Sequence, residues 1–133
     1  MIGFKRENLN PKGRKTTDCV IRAITAATKK DYNEVLMDLA KLQVETAYDM
    51  SDKRCYEKYL VSLGWIKHKQ PRKIDGTKYR VGEINKLVYP GQRAIISMAG
   101  HLSVKVDQDI IDTWDCRRKT IGNYYTHPED NID

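Results

Sequence analysis

Cysteine is scarce in this chain, and its pattern excludes two common uses. The 133 residues hold three, Cys19, Cys55 and Cys116. An odd number without paired spacing argues against both a disulfide framework and a CxxC metal knuckle. Free thiols in a reducing compartment follow, so a cytoplasmic location is expected. Long apolar runs are also missing, and nothing approaches the ~18 residues that a membrane-spanning helix needs. The opening stretch MIGFKRENLNPKGRKTTDC has no apolar core of the secretory type. No internal repeat stands out, and no helix-turn-helix, zinc-finger or RNA-recognition signature is present. No membrane contact, metal or cofactor is expected.

What is there is a balanced globular composition, 40% apolar and 32% charged. A chain of this length can bury a core without covalent staples. One domain over 1–133 is expected, with an N-terminal arm over 1–17 and an acidic tail over 127–133. The net charge of +6 is unevenly spread. Lys5, Arg6, Lys12, Arg14 and Lys15 make the arm basic, and Lys67, Lys69, Arg72, Lys73, Lys78 and Arg80 make the middle basic. Glu129, Asp130 and Asp133 supply the acidic end. A basic face attracts nucleic acid or acidic partners. Solvated lysines that keep a small protein soluble account for the same pattern.

The arm contains Pro11, Gly13 and many polar side chains, and reads as extended or loop. Thr17 or Asp18 then offers an N-cap to a helix from about Cys19 to Thr28, with Val20, Ile21, Ile24 and Ala27 near helical spacing. Asp31 starts a second helix on Val35, Leu36, Leu39 and Leu42. Ser51 or Asp52 starts a third, with Tyr56, Tyr59, Leu60 and Leu63 inward and Gly64 in the left-handed position that ends it. Trp65 and Ile66 are expected to fold back onto the core. Lys67 to Tyr79 reads as an exposed loop, followed by a short helix around Glu83 to Leu87. RAIISM, HLSVKV, DIIDTW and IGNYY are short β-branched or aromatic runs between turn residues, and read as an antiparallel meander. Helices first and an antiparallel sheet second give an α+β class.

Three residues carry the chemistry. A thiol at Cys19, in a first helical turn, lies where unpaired N–H groups and the helix dipole stabilise a thiolate. Cysteine is also among the most buried residue types, and more often than not just fills a core. His101 begins a strand after Gly100, on the face with Ser103 and Lys105 and opposite Leu102, Val104 and Val106. That polar face is expected to meet solvent. A hairpin turn at Asp107 to Asp109 would bring the end of the next strand beside His101, and with it Asp112, Trp114 and Asp115. Either Asp112 or Asp115 could orient the imidazole and fix its tautomer. Cys116 and His127 have no spacing typical of a zinc site.

TTDCVIRAI, GHLSVKV and IIDTWDC together resemble the papain-like cysteine peptidase superfamily. The resemblance implies a papain-like fold in which Cys19 opens the central helix and the β-half supplies His101 and then Asp112, since Asp112-Thr113-Trp114 is similar to the papain-type Asn-Ser-Trp. Asp115 is the alternative third member. DCVIRAI, YEKYLVSLGW, SMAGHLSVKV and DTWDCR are similar to small phage and prophage proteins of this superfamily, from about Asn10 to Tyr125. Such enzymes place a glutamine about six residues before the cysteine to bind the oxyanion, and this chain has Gly13 there. Asn10, Thr16 or the backbone amide of Cys19 would then serve. The resemblance implies a thiol peptidase or amidase acting on a protein or peptide in the cytoplasm, the host's if the chain is phage-encoded. Its alternative is a phage protein that binds a host protein target on the same fold with a vestigial triad.

Overall fold

The computed structural model describes residues 2–131, so Asp133 of the acidic tail lies outside them. Apolar spacing and caps lay down three α-helices. The first, α1 (Cys19–Thr28), buries Val20, Ile21, Ala23, Ile24 and Ala27 and ends at Lys29 in the left-handed region. Asp31 caps α2 (Tyr32–Thr46) by accepting from the N–H groups of Asn33 and Glu34. Asp52 does the same for α3 (Lys53–Ser62) through Arg54. Gly64 ends that helix with φ +90°, where a Cβ would also lie 2.9 Å from the His127 ring.

The strands are β1 (Gly3–Arg6), β2 (Ile66–His68), β3 (Ala94–Met98), β4 (His101–Val106), β5 (Asp109–Asp112) and β6 (Asn123–Thr126). They form one sheet in the order β1-β5-β4-β3-β6-β2. The class is α+β, but the sheet is mixed rather than purely antiparallel, because β1 pairs in parallel with β5. The arm is therefore only partly a loop. Its Ile2 is 2% exposed in the core, and Gly3 packs so close that a Cβ there would fall 2.3 Å from the Asp109 carboxylate.

Two further expectations need correcting. The run containing Tyr124 and Tyr125 does not follow β5 as the next strand of a meander. It crosses back and pairs with β3 on one side and β2 on the other. That pairing makes a strand of residues 66–68, although Lys67 and His68 read as the start of a loop, and Ile66, expected in the core with Trp65, is 47% exposed while Trp65 is buried. The short helix is a 3-10 helix over Val81–Lys86.

Both faces of the sheet are covered, which decides what surrounds the site. Ile95, Leu102, Val104 and Tyr125 pack with the three helices. On the other face Ala94, Ile96, Met98 and Ile110 pack with Ile2, Val81, Ile84, Cys116 and Ile121. Each fully buried aliphatic side chain stabilises by about 1.5–3 kcal/mol. The His101-Ser103-Lys105 face is thus not the solvent face it was expected to be, since Ser103 and Lys105 are both buried. The Lys105 ammonium is accommodated by donating to the carbonyls of Tyr89, Pro90 and Gln92 at 3.0, 2.8 and 2.5 Å. Among the described residues no helix is long and apolar enough to cross a membrane.

Candidate active site

Strand geometry brings the first two groups together. β4 and β5 join through a two-residue turn in which Asp107 takes φ +53°, with Val106 facing Asp109 and Val104 facing Ile111. The beginning of β4 therefore lies beside the end of β5. His101 Nε2 sits 2.7 Å from Asp112 Oδ2, with side chains only 11% and 2% exposed. The Trp114 ring lies 4.9 Å from the imidazole and shields one side of it.

α1 packs against β4 and delivers Cys19 to the same place. Cys19, His101, Leu102, Ser97, Met98, Gly100, Tyr56, Ser51 and Lys53 line a cleft of about 410 Å³. Cys55 and Cys116 are buried, whereas Cys19 is half-buried. Burial alone would raise the Cys19 pKa. Interaction with the imidazole, the backbone amide of Leu102 and the Arg22 charge outweigh it and hold the thiol below its ordinary 9.0. Cys55, whose dominant influence is burial, goes the other way. Burial likewise opposes a charged His101, but Asp112, Cys116 and Cys19 together push its pKa up to about 11. With Nε2 committed to Asp112, Nδ1 is the ring nitrogen left for the thiol. A thiolate–imidazolium pair is the state these shifts favour.

Asp112 is fixed from several sides. It accepts from Ser103 Oγ at 2.6 Å, from the Thr113 N–H at 2.7 Å and from Arg22 at 3.2 Å, and Cys116 Sγ lies 3.8 Å away. Burial raises its pKa, and His101, Ser103 and the Thr113 amide more than reverse that. Arg22 also holds Asp18 at 2.8 Å. Asp18 accepts further from the Tyr32 hydroxyl at 2.6 Å and the Asn10 amide at 3.1 Å. Its side chain makes no capping bond to α1. The charge next to the nucleophile is thereby neutralised, and the first-turn amides of α1 are not capped by it.

The remaining expected residues fall elsewhere. Asp115 is exposed and paired with Arg117 at 2.8 Å, so it does not reach His101. Asn10 spends its amide on Asp18 and its carbonyl on the backbone N–H groups of Lys12 and Arg14. Thr16 lines two neighbouring grooves but not the Cys19 cleft. Of the oxyanion donors named from sequence, only the amide of Cys19 stays at the nucleophile. His127 is not grouped with Cys116; its Nε2 donates to the Leu63 carbonyl at 2.8 Å and its Nδ1 accepts from the Glu129 N–H at 3.2 Å.

His101, Asp112 and Cys116 each place one possible metal-ligand atom within 4.8 Å of the others. Two ligands of one tetrahedral zinc stand about 3.3 Å apart, given bonds of about 2.0 Å. The 2.7 Å between His101 and Asp112 is hydrogen-bond spacing, and Arg22 would repel a cation there. The trio is a hydrogen-bonded cluster.

Sequence reasoning overlooked Arg22, Ser103 and Cys116. Arg22 was visible as the i+4 partner of Asp18. Ser103 shares the His101 face of β4. Nothing local announced Cys116, whose approach to Asp112 depends on the turn after β5. Comparison with protein-family models, with curated proteins and with solved structures gives no match for this chain.

Proposed function

We propose that this chain is a papain-like thiol acyl-transfer enzyme, a cysteine peptidase or amidase. The observation that carries the reading is a half-buried imidazole, held by a buried carboxylate at 2.7 Å, beside a half-buried thiol whose pKa is depressed. The Cys19 thiolate attacks a carbonyl carbon, forming a carbon–sulfur bond while the carbonyl electron pair moves to oxygen. The amide of Cys19, at the positive end of α1, stabilises that oxyanion. The imidazolium of His101 gives its proton to the leaving amine as the carbon–nitrogen bond breaks. Water, deprotonated by His101, then displaces the thiolate and restores the pair. Asp112 holds the imidazole in the required tautomer and balances its charge.

The test is site-resolved labelling with iodoacetamide at pH 7, read by mass spectrometry, alongside hydrolysis of a peptide-amide panel. Cys19 is expected to react at least tenfold faster than Cys55 or Cys116, and Cys19→Ala to abolish hydrolysis. Labelling of Cys19 no faster than that of free cysteine would sink the reading. Fast labelling without turnover of any amide would favour the binding protein with a vestigial triad.

A further inference from the structure

The cleft beside Cys19 holds a cation that the proposed acyl transfer does not use. Lys53 opens α3, lines the cleft with Cys19 and His101, and is half-buried. Its ammonium donates to Asn123 Oδ1 at 2.5 Å. Asn123 is 5% exposed and uncharged, and its Nδ2 is buried without a hydrogen-bond partner. Among the described residues Lys53 takes part in no ion pair. Glu57, one turn along α3, is occupied by Lys67 at 2.8 Å and by the Tyr125 hydroxyl at 2.6 Å. Asp52 is held by Arg54, and Asp49 by Ser51. The acids nearest the nucleophile, Asp18 and Asp112, share Arg22. None of the described residues that line the cleft carries a carboxylate.

A partly desolvated ammonium held only by a neutral amide gains most from a carboxylate brought in by a ligand. We propose that Lys53 is a specificity-determining residue, selecting acyl donors that carry a carboxylate close to the carbonyl attacked by Cys19. This rests on the thiol reading above. The carboxylate belongs either to a chain end or to an acidic side chain, and the same chemistry recognises both.

Three alkylating probes separate the cases: N-iodoacetyl-glycinamide, which is neutral, N-iodoacetyl-glycine, and the α-amide of N-iodoacetyl-aspartate. Each forms a sulfur–carbon bond to Cys19 as the carbon–iodine bond breaks and iodide leaves. At pH 7 one or both anionic probes should modify Cys19 about tenfold faster than the neutral one, an advantage of the size that one nearby charge supplies. Whichever anionic probe gains identifies the carboxylate's source. Lys53→Gln should erase the advantage, bringing the ratio of anionic to neutral rates to about one, and Lys53→Arg should keep it. Lys41→Gln, an equal change of net charge at an exposed position on α2, should leave all three rates alone. Equal rates for anionic and neutral probes in the parent protein would overturn the inference. So would a Lys53→Gln variant that slows all three alike, because Lys53 would then act on the oxyanion or on the fold. Slow reaction of Cys19 with even the neutral probe would instead remove the thiol reading, and this inference with it.

Discussion

Replacing Asp112 by asparagine keeps the side chain's shape and removes its charge. The parent carboxylate is 3% exposed and accepts from His101, Ser103, Arg22 and the Thr113 amide. Removing one partner of a buried ion pair costs about 3–5 kcal/mol, because the charges left behind stay buried and unpaired. At this chain length that corresponds to a fall in Tm of roughly 10–20 °C. The pH dependence is more diagnostic than the size. In a Cys19→Ser background, so that no thiolate titrates alongside, two groups set it. Asp112 titrates below its ordinary 3.8 in the fold, so its contribution is complete above 3.8 and fades as pH falls through the lower value. His101 behaves oppositely. Its pKa, about 11 with Cys19 in place, is raised above 6.5 against burial by Asp112 and Cys116 as well, so its contribution is complete below 6.5 and fades as pH rises through the raised value. The stability gap between parent and Asp112→Asn should be widest from about pH 4 to 6.5. Above that it should narrow by up to ~1.4 kcal/mol per pH unit. Urea melts at pH 5, 7 and 8.5 measure it. A gap under about 1 kcal/mol at pH 5, or one that stays flat to pH 8.5, would refute the charged-pair account.

Three further outcomes are expected. The rate of Cys19 alkylation should rise with pH through a midpoint below 9.0. His101→Ala should move that midpoint upward, since burial then dominates, and an unmoved midpoint would separate the imidazole from the thiol. Lys105→Met leaves the carbonyls of Tyr89, Pro90 and Gln92 without their charged donor, and should cost about 2–4 kcal/mol. Hydrogen exchange should accelerate around residues 89–92, and unchanged exchange with normal stability would show the ammonium to be dispensable. Ile2→Ala should cost about 2–4 kcal/mol in urea melts, as for any fully buried aliphatic. A loss below about 0.5 kcal/mol would mean that β1 is not part of the cooperative unit.

Elements whose signals are local were legible along the chain. Apolar spacing and the caps at Asp31 and Asp52 placed the three helices, and the first residue of α1 is the expected Cys19. The alternation in HLSVKV and the tight turn at Asp107 placed β4 beside β5, which is why His101 and Asp112 were legible as neighbours. Features that need contacts between distant segments became visible in the folded chain. Four residues at the arm become a strand because Asp109 to Asp112 offers an open edge, a fact that GFKR does not carry. Tyr124 and Tyr125 cross back to β3, so residues 66–68 acquire a partner. Asp112 rather than Asp115 meets His101, because the chain turns after β5 and hands Asp115 to Arg117. Burial of Ser103 and Lys105 was hidden for the same reason. A strand's pattern shows that its two faces differ, but what covers each face is set by segments far away in the chain.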